Sequence, residues 1–145
     1  MLLTFDEFGL AATWATVGFL FARNRKELTD FYPSVRPGYA DGRLDPYSET
    51  IGADESDDPF HFAPSLIDRI RDTPRQEIGS HTFSHYYCLE DGQTAEAFRA
   101  DLESARQIAA AAAIRLKSLA LPRNQFNTSY APFMRAASLI CYRGK

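Results

Sequence analysis

Glu77-Ile78-Gly79-Ser80-His81-Thr82-Phe83-Ser84-His85 is a short run that places two of the chain's three histidines four residues apart, and its reading decides the fold. Glu77 to Ser80 reads as a short strand, with His81 at its C-terminal end. Two imidazoles at i and i+4, on a tight turn or the first turn of a helix, can reach one metal ion, each through a neutral ring nitrogen at about 2.0–2.1 Å. Such a site usually needs a third protein ligand, commonly a carboxylate, and keeps a position open for water or substrate. Without further context the same pair reads equally well as structural or incidental.

Working outward, Ala12 to Leu20 is rich in β-branched and aromatic residues and predicts a buried strand. Met1 to Phe8 has apolar residues at Leu2, Leu3, Phe5 and Phe8, which is helical spacing, and Gly9 ends it. Asp30 to Pro59 is dense in Pro, Tyr, Gly and Asp and predicts a long irregular excursion. Helices are expected over Phe62–Arg71, Thr94–Ala113 and Ser129–Ser138, and further strands over Leu116–Leu121 and Leu139–Arg143. Strands alternating with helices imply parallel pairing, so the fold class is α/β. In such folds ligands gather at the carboxyl ends of the strands, where His81, His85, Pro122, Arg123 and Asn124 all fall.

The 145 residues suffice for one domain, 1–145, with a real core. A formal charge of −3 argues against a nucleic-acid partner held by bulk charge. The longest nearly uncharged run, Leu10 to Ala22, is too short to span a bilayer, and no signal-peptide pattern opens the chain, so a cytoplasmic protein is expected. Cys88 and Cys141 are too few for a disulfide framework.

The histidine segment resembles the second motif of the polysaccharide deacetylase family, the NodB-homology or carbohydrate esterase 4 group. Ala12-Thr13-Trp14 with Val17-Gly18 is similar to the family's second strand, and Leu119-Ala120-Leu121-Pro122-Arg123-Asn124-Gln125 stands in the place of its third motif. The resemblance implies a partial, deformed (β/α) barrel and a metal-dependent hydrolase removing acetyl groups from carbohydrate, or cleaving related non-peptide C–N bonds. It implies a divalent metal, Zn²⁺ in first place, on His81 and His85, and an acetylated carbohydrate or small amide as substrate.

The departures are equally specific. Thr4-Phe5-Asp6-Glu7 imitates the family's first motif, which would make Asp6 the general base and Glu7 a metal ligand. Only five residues, Glu7 to Ala11, then separate Asp6 from the strand at Ala12, whereas parallel neighbours need a crossover of about a dozen or more. The helical reading of Met1 to Phe8 is therefore preferred, and with it the expectation that the chain is truncated, lacks the first strand and its acids, lacks the later motifs, and is inactive alone. A barrel open on both sides exposes the Ala12–Leu20 strand edge, so self-association is expected. A non-catalytic remnant that binds sugar or a partner protein is the alternative reading. Arg123, Asn124 and Gln125 are candidates for binding substrate or plain turn residues, and Ala120 stands where the family commonly has an arginine. His61 reads as a residue at a helix start, Trp14 as core, Phe31, Tyr32, Tyr39 and Tyr47 as sugar-stacking or loop-anchoring, and Cys88 as a packed turn rather than a soft ligand.

Overall fold

In the computed structural model, which describes residues 1–144, four short parallel strands form one sheet in the order β1-β2-β3-β4, being Ala12–Thr16, Gln76–Ser80, Ser118–Ala120 and Cys141–Arg143. The connections carry α2 (Arg25–Asp30) and α3 (Pro64–Arg71) before β2, α4 (Ala95–Ala111) before β3 and α5 (Ala131–Ala136) before β4, with α1 (Leu2–Glu7) ahead of the sheet. The sheet is open, a partial barrel, with β1 and β4 as its edges. No helix of the described residues is long and apolar enough to cross a membrane.

Local sequence accounts for most of these elements. Helix α1 ends at Phe8 and is turned back by Gly9 at φ +62°, a left-handed position that glycine takes without a Cβ penalty. Arg75 and Gln76 then fix the link by donating to the carbonyls of Gly9 (2.9 Å) and Leu10 (2.8 Å). Thr94 caps α4 by accepting from the Ala97 amide at 3.1 Å. Helix α4 buries Ala97, Phe98, Leu102, Ala105, Ile108 and Ala109, the i, i+3, i+4 stripe of a helix covering a sheet.

Three of the strands are shorter than the sequence predicts, and β2 is longer by one residue, Gln76. Chain expected to extend β1 to Leu20 turns into a 3₁₀ segment at Gly18–Phe21, because the amides of Gly18 and Phe19 bond to the carbonyls of Thr82 (2.9 Å) and Phe83 (3.2 Å) in the histidine turn. The predicted helix from Ser129 begins as a 3₁₀ turn, Thr128–Tyr130, capped by Asn127, and becomes α-helical only at Ala131. The excursion from Asp30 to Pro59 holds two 3₁₀ turns, Gly42–Leu44 and Pro46–Ser48, each started by an aspartate side chain, Asp41 and Asp45.

Two apolar clusters lie against the sheet. One gathers Phe19, Phe21, Leu28, Phe62, Ile67, Ile78, Phe83 and Ile108, and the other gathers Tyr86, Phe98, Leu102, Leu119, Leu121, Tyr130 and Met134. The histidine turn contributes Phe83 to the first and Tyr86 to the second, so burial of two large rings anchors it on both sides. The other face of the sheet is lined by small and polar side chains, where Glu77 accepts from Thr13 Oγ1 (2.6 Å) and Ser118 Oγ (3.0 Å).

A Cβ at Gly18 would meet the buried Phe83 ring and lie 2.7 Å from Phe83 Cα, so moving the ring alone does not make room for it. Gly18→Ala is expected to lower unfolding stability by about 1–3 kcal/mol, read as the midpoint of urea denaturation; an unchanged midpoint would show that the contact between the 3₁₀ segment and the turn is loose.

Candidate metal centre

Beyond Ser80, the last residue of β2, the chain leaves the sheet as a tight turn rather than a helix. His81 N donates to Thr16 O at 2.8 Å, continuing the β1–β2 ladder by one bond. Thr82 and His85 have φ of +66° and +59°, left-handed values that cost a non-glycine residue about 1–2 kcal/mol each. Local side chains hold this path: Thr82 N donates to Ser80 Oγ (3.0 Å), and Tyr86 N donates to the buried Thr82 Oγ1 (2.7 Å).

Asp101, wholly buried in α4, completes the support. Its carboxylate accepts from Phe83 N (2.7 Å), Ser84 N (3.1 Å) and Ser84 Oγ, so its oxygens satisfy two of the three amides between the histidines, the third being held by Ser80 Oγ. Burial opposes the charge more strongly than these donors favour it, and the Asp101 pKa is pushed up to about 6.

The two rings that this turn carries have centroids 4.8 Å apart at an interplanar angle of 62°. Two imidazoles on one tetrahedral ion, with bonds of 2.0–2.1 Å, place their centroids about 5 Å apart. His81 Nδ1 is 2.7 Å from Ala120 O at the end of β3, which makes Nδ1 the protonated nitrogen because a carbonyl only accepts. His85 Nδ1 is 3.0 Å from Tyr87 Oη. Among the described residues neither Nε2 has a hydrogen-bond partner, so each ring is held through one nitrogen and its other nitrogen is unpaired. Desolvation lowers the His81 pKa, helped by the positive charge of Arg143. Desolvation, with His81 and Arg123 adding to it, lowers that of His85 to about 4. Both rings are thus neutral at pH 7, the form that binds metal.

The other candidates fall at stated places around this pair. Arg123 has φ +52°, lies with its guanidinium 4.4 Å above the Tyr87 ring, whose hydroxyl meets His85, and pairs with Glu90 at 3.2 Å. Gln125 joins the Leu89 amide (3.1 Å) to Glu90 (2.6 Å), fastening the end of the histidine loop to the turn after β3. Asn124, at φ +54°, is exposed beside them. Asp6 is not brought to the histidines. It lies in a surface cleft with Arg69, Asp72 and Pro74 before β2 begins, while His81 follows the far end of β2, about 16 Å of strand away. His61 is clamped between Asp58 (2.7 Å) and Glu49 (2.9 Å). Cys88 is buried with its thiol pushed up to about 12. Tyr39 accepts from Tyr87 N (2.9 Å), and Tyr32 and Tyr47 pack with Phe19, so these aromatics anchor the excursion.

Two residues here escape a reading of the sequence. Asp101 leaves one trace, an acid within the apolar stripe of α4 between Phe98 and Leu102. Tyr87 leaves none, because nothing in its neighbours marks it as the partner of His85. Among the described residues no group of three or more His, Cys, Asp or Glu side chains gathers as a ligand set, so the pair supplies two neutral nitrogen donors and no third.

The family profile described as polysaccharide deacetylase matches residues 1–139. The crystal structure of a CE4 family pseudoenzyme from Bacillus anthracis is similar in fold, with TM-score 0.59 and 14% identity, covering 98% of this chain and 36% of that one. A mutant of that pseudoenzyme, described as having restored enzymatic activity, gives TM-score 0.58 and 13% identity, covering 97% and 37%. The chain thus spans little more than a third of the length of these structures. No curated protein matches it in sequence.

With a pKa near 6 folded and about 3.8 unfolded, ionised Asp101 destabilises the fold as pH rises from about 4 to 6. The lowered histidine pKa values act oppositely, removing stability as pH falls from about 6.5 towards 4. Asp101→Asn keeps only the histidine effect. The stability of this variant relative to wild type is therefore expected to worsen by roughly 2 kcal/mol on going from pH 7 to pH 4 in chelator, measured by urea denaturation. A pH-independent difference would contradict the burial of this carboxylate as a charge.

Proposed function

The chain belongs to the polysaccharide deacetylase family, and from that premise we propose that His81 and His85 hold a divalent metal ion, Zn²⁺ in first place, at a site built for hydrolysis of an acyl amide or ester on carbohydrate. The observation that carries this reading is the pair itself: two neutral imidazoles 4.8 Å apart, each oriented through Nδ1 with Nε2 left over. When bound, such an ion polarises the acyl carbonyl and acidifies a coordinated water.

The chain's own residues have separate tasks in this reading. Ala120 O and Tyr87 Oη fix the rings, and Asp101 sets the turn between them. Arg123, Asn124 and Gln125 form the rim on which the sugar lies, Arg123 with its planar fork facing acceptors of the substrate. Asp6, one strand-length away, takes no part.

A second reading has support of its own. The described residues bring no third ligand and no carboxylate base to the pair, and the similar solved structures are of a protein described as a pseudoenzyme. On this reading the chain binds acylated carbohydrate, or a partner, without turnover.

Zinc bound to the purified chain, quantified by inductively coupled plasma mass spectrometry after equilibration and desalting, separates the metal readings from a metal-free one. Wild type is expected to retain zinc that His81→Ala and His85→Ala each lose. Less than about a tenth of an equivalent in wild type, unchanged by either substitution, removes the metal site. Acetate release from a chitin oligomer separates enzyme from binding module, and none is expected from this chain by itself.

A further inference from the structure

A cavity of about 300 Å³ opens beside His85, between the histidine turn, the 3₁₀ segment after β1 and the excursion that crosses above them. One half of its lining is apolar: Val17, Phe19, Leu20, Leu44, Pro46 and Phe60. The polar side chains that share the lining each hold a partner, within the lining or just behind it. Arg43 pairs with Asp41 at 2.7 Å, Glu49 with His61 at 2.9 Å, Ser84 Oγ with Asp101, and Tyr87 Oη with His85 Nδ1 at 3.0 Å. A polyol entering here would have to displace or share those pairs, whereas a hydrocarbon group would cover apolar wall and leave them intact.

Size points the same way. One water-sized heavy atom takes about 30 Å³, so the cavity holds on the order of ten, while the methyl of an acetyl group fills the place of one. His85 is part of that cavity's wall, so an acyl group held at the histidine pair has this space beside it. Resting on the deacylase reading above, we propose that this cavity receives the acyl chain, so that the ligand class is an amino sugar carrying a medium-chain N-acyl group rather than acetyl alone. The sugar stays outside, on the rim formed by Arg123 and Gln125, and Leu44 and Pro46 of the excursion, with Phe60 just after it, form the far wall.

Isothermal titration calorimetry of the chain with N-acetylglucosamine and N-hexanoylglucosamine, run with and without Zn²⁺, tests this. Each buried methylene strengthens binding about fourfold when fully dry; four extra methylenes in a half-open cavity are expected to give a gap of about tenfold or more. Leu44→Ser, which removes apolar wall, and Leu44→Trp, which fills the space, are both expected to shrink that gap while circular dichroism stays that of wild type. Equal affinities for the two sugars, no measurable binding of either, or a gap that both Leu44 variants leave intact overturns the proposal. A chain that holds no zinc yet keeps the gap overturns the metal reading and upholds the acyl cavity.

Discussion

The carboxylate of Asp101 stands in the middle of α4 with no access to water and accepts hydrogen bonds from Phe83 N, Ser84 N and Ser84 Oγ, and everything proposed for the histidine pair depends on that clasp. A turn with left-handed residues at Thr82 and His85 is costly alone, and its amides point inward where water cannot serve them. One buried anion answers the Phe83 and Ser84 amides between the histidines, and Phe83 and Tyr86 lock the turn into separate apolar clusters. The ring positions follow from the backbone so fixed. Rotation about the remaining side-chain bonds is then stopped by Ala120 O for one ring and Tyr87 Oη for the other.

The sheet explains why these supports meet. Parallel pairing of β1, β2 and β3 sends all three strands out at the same end, so Thr16, His81 and Ala120 become neighbours although up to 104 positions separate them. Thr16 O receives His81 N and Ala120 O receives its ring, so the first histidine is tied to both strands that flank its own. The second histidine belongs to the loop side, where Tyr87, Arg123 and Glu90 form a stacked and ion-paired rim. That division leaves one ring facing strand ends and the other facing the cavity under the excursion.

Much of this was legible in residue patterns. Gly9 and the spacing of Leu2, Leu3 and Phe5 marked a helix, which puts Asp6 at the wrong end of β2 for chemistry at His81. Thr94 marked the start of α4, and the apolar-small run at Ile78 to Ser80 marked a strand with the histidines beyond it. Strand lengths were not legible, because Val17, Phe19 and Leu20 suit a buried 3₁₀ segment as well as a strand, and the choice is made by hydrogen bonds to Thr82 and Phe83. The Asp101 clasp bridges 17 and 18 positions and the Glu49–His61 pair bridges 12, distances over which spacing rules carry no signal. An acid inside an apolar helical stripe was the single local hint, and it gives no direction to its partner.

The central claim is that two imidazoles bind one ion through Nε2 while Nδ1 remains tied to Ala120 and Tyr87. Long-range ¹⁵N–¹H correlation spectra of the chain during zinc titration read the ring nitrogens of His81 and His85 directly. The account predicts that both Nε2 resonances move together to metal-bound positions at one saturating stoichiometry, with both Nδ1 atoms staying protonated. Independent titration of the two rings, binding through Nδ1, or no movement of either would contradict it.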